Sequence, residues 1–221
     1  MKVKPNDFIE LEFTGYVDGK VFDTTNKDIA KENGIEDWDK VKPIKIVVGK
    51  NEVVKGLDEA LIDKEVGKEY EIILKPEDAF GVRDPNLIKV FPINEFIKHE
   101  ITPFPGLQVE IDGLIGTIKS VNSGRVRVDF NHPLADKEVH YKFKILRIIE
   151  DKKEKVKILL EKLFVKPDIE VKEEKIVVKL PRRFEKLDDV VRKLFEDTLD
   201  FDVVLEYVEE NEGTQGNENK K

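Results

Sequence analysis

Apolar and polar residues alternate along "FIELEFTGYV". Ile9, Leu11 and Phe13 fall on one face and Glu10 and Glu12 on the other, the period of a half-buried β-strand. An Asp18-Gly19 turn leads on to Val21 and Phe22. Residues 26–43, "NKDIAKENGIEDWDKVKP", lose this pattern. They are polar with one aromatic, Trp38, and read as a loop or bulge. "IKIVV" is a strand. In "NEVVKGLDEAL" the residues Val53, Val54, Leu57, Ala60 and Leu61 recur at helical spacing, which predicts a short amphipathic helix. Its stripe faces either a core or, at the Val53–Val54 end, an open apolar pocket; periodicity does not separate the two. "YEIIL" is a further strand, stopped by Pro76.

The character then changes. Residues 82–105 hold Pro85, Pro92, Pro103 and Pro105, with Phe91, Phe96, Ile97 and Phe104 scattered between them. Three short strands follow, "LQVEI", "LIGTIKSV" and "RVRVDF", separated by Asp112-Gly113 and Asn122-Ser123-Gly124 turns. This reads as a small β unit inserted into a first domain, which "NHPLADKEV" (a loop) and "HYKFKILRII" (a strand) complete on the far side. From Glu150 the period changes again. "EDKKEKVKILLEKLF" is helical, "IEVKEEKIVVKLP" is a hairpin, "FEKLDDVVRKLFEDTL" is a second amphipathic helix and "FDVVLEYV" a last strand. A separate α+β unit that small is marginal alone, so dimerisation is the natural remedy. The tail "EENEGTQGNENKK" is polar and expected to be disordered.

Composition narrows the function classes. The 221 residues are 39% apolar and 39% charged, with a net charge of −8. Lys and Glu dominate and Gln occurs only at Gln108 and Gln215, a balance that resembles a thermophile's surface. The negative charge argues against nucleic acid as a partner. The absence of cysteine excludes disulfides, thiol nucleophiles and thiolate metal sites. No apolar run is long enough for a membrane span and the N-terminus lacks a signal-peptide pattern, so a cytoplasmic protein is expected. Phosphate-binding, zinc-protease and serine-hydrolase motifs are missing. His99, His132 and His140 have no metal-ligand spacing, and no cofactor or metal is expected. The residues alone describe a modular α+β protein with an unusual apolar insert.

Two stretches carry more. "FTGYVDGKVFDTT" resembles the opening strand and turn of the FKBP prolyl isomerases, and "VVGKNEVVKGLDEALIDKEVGKEYEIILKPEDAFG" resembles the next stretch of the same family. The order and spacing match over residues 5–81 and again over 131–149. The insert, followed by "NHPLAD", looks like the SlyD-like branch, in which an insert-in-flap domain binds unfolded chains, and the C-terminal unit resembles the long archaeal form. The resemblance implies an α+β fold: an FKBP-like antiparallel sheet wrapped on a short helix (residues 1–83 plus 131–150), an inserted β-rich chaperone domain (84–130) and a separate C-terminal α+β domain (151–208); the small core of that last unit adds the expectation of a homodimer through it, and composition that of a disordered tail (209–221).

It also implies a pocket. Asp23, Phe80 and Tyr141 take the catalytic positions. Phe13, Phe22, Val53, Val54, Leu57 and Ala79 bind substrate, with His132 and Leu134 on a rim loop. Leu57 stands where many relatives carry a tryptophan floor, and Phe13 and Phe80 where many have tyrosines. Tyr141 returns one hydroxyl at another corner, where it is the expected partner of Asp23, the one acid expected inside. Phe91, Phe96, Ile97 and Phe104 form the chaperone surface. The implied partners are unfolded or partly folded proteins with X-Pro bonds. Two readings follow: a prolyl isomerase with chaperone activity, and a holdase whose pocket is weak or silent.

Overall fold

The computed structural model describes residues 1–163, 168–172 and 175–209. The first sheet is built around β1 (Phe8–Val17), whose inward residues Ile9, Leu11 and Phe13 are buried as the alternation predicts. One edge of β1 is divided between two partners. Thr14–Val17 pair with β2 (Lys20–Thr24), and Phe8–Leu11 pair with β3 (Ile44–Val47), both antiparallel. At the division, two threonines complete the backbone hydrogen bonding, the Thr24 hydroxyl donating to the Phe13 carbonyl at 3.1 Å. The Thr25 hydroxyl accepts from the Phe13 N–H at 2.8 Å, and the Thr25 N–H donates to the Phe13 carbonyl at 2.9 Å. Between β2 and β3 the expected loop holds a helix, α1 (Lys27–Glu32). The carboxamide oxygen of Asn26 accepts from the N–H groups of Asp28 and Ile29, capping it. The polar composition hid a helix that is set by its cap.

α2 (Lys55–Leu61) buries Leu57 and Leu61 against the sheet. Val53 and Val54 precede it, with Val54 at the N-cap, so the apolar stripe is only partly helical. β4 (Glu69–Leu74) follows.

The chain then leaves the sheet. The proline-rich stretch is more ordered than its composition suggests: it contains β5 (Ile88–Pro92) and α3 (Ile93–Lys98), with Pro92 at the helix boundary, where its missing N–H costs nothing. β6 (Gln108–Ile111), β7 (Leu114–Asn122) and β8 (Arg125–Asp129) complete an antiparallel sheet in the order β5-β8-β7-β6. Its core is Phe96, Val109, Ile118, Val126 and Val128, with Phe91 against it. The two linkers are latched together. Buried Asp129 pairs with Arg83 and accepts from both the N–H and the side-chain amide of Asn131, and the Asn131 side chain bonds the backbone of Asp84. β9 (Val139–Ile148) returns between β1 and β4, giving a five-stranded sheet.

The C-terminal unit holds α4 (Lys152–Glu161), β10 (Asp168–Lys172), β11 (Lys175–Pro181), α5 (Asp188–Glu196) and β12 (Val203–Val208). β10 is antiparallel to β11, and β12 is parallel to it through the α5 crossover. This unit packs against the first domain. Val156, Leu159 and Leu160 of α4 share one core with Phe8, Val47 and Ile149 of the first domain. Lys45 and Arg147 both pair with Glu154 across the same boundary. The α4 stripe thus finds its apolar partner within the chain, without a second copy. Residues 210–221, most of the expected disordered tail, lie outside the described residues.

Candidate active site

Strand pairing fixes the aromatic cluster. β1 and β9 place Phe13 opposite Phe143 and Gly15 opposite Tyr141, all on the buried face. Gly15 leaves room for the Phe22 ring: a Cβ there would lie 2.6 Å from two ring carbons. Phe22 meets Phe80 edge-on at 5.6 Å and Tyr141 at 5.9 Å, and Phe13 meets Tyr141 at 5.7 Å. Gly56 performs the same service on the other side. A Cβ there would lie 2.6 Å from Leu74 and 2.9 Å from the Asp78 carbonyl, so α2 can approach the turn that carries Ala79 and Phe80.

These rings border a cleft of about 640 Å³. Phe13, Asp23, Val53, Val54, Leu57, Phe80 and Tyr141 line it together. Phe22, Ala79, His132 and Leu134 are not on its wall. Phe22 supports Phe80 and Tyr141, and Ala79 packs into the sheet core. His132 stacks on Phe80 at 4.4 Å with the rings 3° from parallel, and its Nδ1 accepts from the Leu134 N–H. The rim loop therefore acts on the cleft through Phe80.

The wall includes residues that pattern reading passed over. Thr24 and Thr25 contribute because they complete the divided edge of β1. Lys40, Val41 and Lys42 come from the segment read as loop, and Ile44 from the start of β3. That segment is anchored by Trp38, whose ring lies under the ammonium groups of Lys27 and Lys31 of α1 at 5.4 and 4.9 Å. Asn26 as a cap, with Trp38 downstream, was the available signal.

Asp23 is not the one acid inside. It sits open to solvent at the mouth, and Glu52 also lines the cleft. The apolar surroundings still raise the Asp23 carboxyl above the ordinary carboxylate range, with the Thr24 backbone N–H opposing. No hydrogen bond joins Asp23 to Tyr141 among the described residues, contrary to expectation. Burial first, and the Asp23 charge second, push the Tyr141 phenol up. Tyr141 therefore stays a neutral hydroxyl at any physiological pH.

The insert carries a second candidate surface, different from the one expected. Phe96 is 4% exposed and belongs to the insert's core, with Phe91 packed edge-on against it at 6.3 Å. α3 turns Phe96 inward and β5 sets Phe91 against the same core, so both are withdrawn from the expected surface. Ile97 and Phe104 are open, at 59% and 54%, and Leu114 and Ile115 join them at the β6–β7 turn, at 59% and 69%. Among the described residues no group of His, Cys, Asp or Glu is placed to hold a metal ion, and no helix is long and apolar enough to cross a membrane.

The cleft and the insert have counterparts in known proteins. A family model described as FKBP-type peptidyl-prolyl cis-trans isomerase matches residues 1–101, and one described as FKBP26, IF domain matches residues 89–134. The chain is 35% identical to a short-type peptidyl-prolyl cis-trans isomerase of Methanocaldococcus jannaschii, over 65% of this chain and 92% of the relative. It is 31% identical to the FKBP-type 16 kDa peptidyl-prolyl cis-trans isomerase of Escherichia coli, over 66% of this chain and 93% of the relative. It is also 31% identical to the FKBP-type peptidyl-prolyl cis-trans isomerase SlyD of Helicobacter pylori, over 52% and 64%. With its aromatic cleft on a β-sheet and an inserted second sheet, this chain belongs to the FKBP-type peptidyl-prolyl cis-trans isomerases.

Proposed function

We propose that the X–Pro bond rotates in the cleft between Phe80, Tyr141 and Val54, and that the insert holds the unfolded chain to which the proline belongs. The rotational barrier of about 18–20 kcal/mol comes from amide resonance, which places charge on the carbonyl oxygen. Water stabilises that charge. An apolar aromatic wall withdraws water and so favours the less polar, twisted amide. Each 1.36 kcal/mol of preference for the twisted form gives a factor of ten. No nucleophile is needed. Asp23 at the mouth orients the amide or makes a polar contact with it.

The observation that supports the chaperone role is the exposure of Ile97, Phe104, Leu114 and Ile115 on a unit that already has a filled core. Open apolar groups of this kind mark interaction sites. A client held there presents its prolines to the cleft at an effective concentration of up to about millimolar. The partners are therefore unfolded or partly folded proteins containing X-Pro bonds, in the cytoplasm. A homodimer through residues 151–208 would use the exposed Val190, Val204 and Val208, and light scattering of the full chain tests it.

Replacing residues 84–130 with a short flap loop separates the two roles. Tetrapeptide isomerisation should stay within a few-fold, because a short peptide cannot span both sites. Proline-limited refolding of a protein should slow by about a hundredfold. Equal losses on peptide and protein would show that the insert shapes the cleft and does not gather clients.

A further inference from the structure

The wall formed by Val53 and Val54 ends a loop, Gly49–Val54, that is held from two sides. From within the domain, the buried Asp58 carboxylate accepts from the N–H groups of Gly49 at 2.9 Å and Asn51 at 2.8 Å. The loop needs such holding, because Gly49 and Asn51 both take left-handed backbone angles, φ +86° and +53°. From outside, the C-terminal unit reaches the same loop twice. Lys50 Nζ donates to the carbonyl of Asp197, the C-cap of α5, at 2.9 Å, where the helix dipole adds to the attraction. Lys162, the C-cap of α4, pairs with Glu52 at 2.5 Å, and Glu52 lines the cleft next to Val53. Val47, two residues before the loop, is buried in the core shared with α4. Both helices of the appended unit thus end on the segment that sets the cleft wall.

We propose that the C-terminal unit is a positioning element for the catalytic cleft. Lys162 and the C-terminus of α5 keep Gly49–Val54 in its bound shape before substrate arrives. The pair is partly shielded, with one third or less of either side chain exposed. Losing it should loosen the loop by about two- to fivefold. The inference rests on the cleft assignment proposed above.

The experiment compares four variants of the full chain: Lys162→Ala, Lys162→Arg, Val54→Ala and Lys157→Ala. Lys157 lies on the same helix and, among the described residues, pairs only with Glu161. Tetrapeptide kinetics, the unfolding midpoint, and hydrogen exchange of the Gly49 and Asn51 amides are measured on each. Lys162→Ala should raise KM about two- to fivefold and speed exchange at both amides similarly, with the unfolding midpoint close to that of Lys157→Ala. Lys162→Arg should recover most of the loss, and Lys157→Ala should match the parent. A KM raised by Val54→Ala but not by Lys162→Ala overturns the positioning role alone. A silent Val54→Ala overturns the cleft assignment, and the positioning role with it.

Discussion

Gly15→Ala adds one methyl group at the most crowded point of the site. Gly15 lies inside β1, so alanine meets no backbone strain there. On backbone grounds alone the substitution should stabilise by about 0.4–1 kcal/mol, by restricting the unfolded chain. The new Cβ would sit 2.6 Å from two carbons of Phe22 and 2.9 Å from Tyr141. Phe22 must therefore retreat by about 1 Å to reach ordinary contact, and overpacking of this kind costs about 1–3 kcal/mol. The net loss should be about 1–2 kcal/mol in urea unfolding. Activity should fall further than stability. Phe22 is the ring that seats Phe80 and Tyr141 at 5.6 and 5.9 Å, and a misplacement of about 1 Å in a site can cost up to a hundredfold. A tenfold or greater loss of kcat/KM on a tetrapeptide is expected, measured on protein shown to be folded. Gly19→Ala is the control. Gly19 has φ +76° with nothing near its Cβ direction, so alanine there should cost about 1 kcal/mol through backbone strain and leave kcat/KM unchanged. Gly15→Ala with parental activity, or with the same balance of losses as Gly19→Ala, would refute the seating role.

Asp23→Asn should lower kcat/KM while leaving the chain at least as stable as the parent at pH 7. The folded pKa of Asp23 is raised by burial, so between the unfolded value of about 3.9 and that raised value the native state holds more protons, and stability falls as pH rises through the window. The stability difference between variant and parent should close as the pH approaches about 4. Tyr141→Phe and Asp23→Asn should add within about 0.5 kcal/mol in activity, since no hydrogen bond joins the two side chains; a larger coupling in the double-mutant cycle would contradict this. Truncation after residue 150 should expose Phe8, Val47 and Ile149, each 1% exposed or less. At about 1.5–3 kcal/mol for each of the three side chains the loss is about 5–9 kcal/mol as an upper estimate, comparable to the whole stability of many domains. A truncated chain with the parental urea midpoint would show that the shared core carries little of the stability.

The sequence exposed strands better than the places where strands stop. β1, β3, β4 and the three later insert strands follow from alternation and turn residues, because a half-buried strand writes its burial directly into every second position. α1 and α3 were missed for a common reason. Both are six residues long, too short to show a helical period, and both are set at their boundaries, by Asn26 and by Pro92. Missing α3 sent Phe96 to the surface. The cleft's aromatic members were reached through the family resemblance. The wall residues Thr24, Thr25 and Lys42 were not, because their place depends on a strand edge divided between two partners and on a tryptophan anchored to a helix. Gly15 carried no signal at all, since its role is the absence of a side chain beneath a ring brought from another strand.

The division of the chain by its insert also sets an order of assembly. β9 closes the isomerase sheet by pairing Ile148 with Ile9 and Tyr141 with Gly15, contacts that span most of the domain. Every pairing of the insert sheet falls within residues 88–129. Local contacts form fast and distant ones pay for a long loop, so the insert should fold first and shorten the loop that β9 must close. During synthesis the same order is enforced from the ribosome, because the insert emerges before β9 does. A nascent chain therefore displays Ile97 and Phe104 before it has a finished cleft.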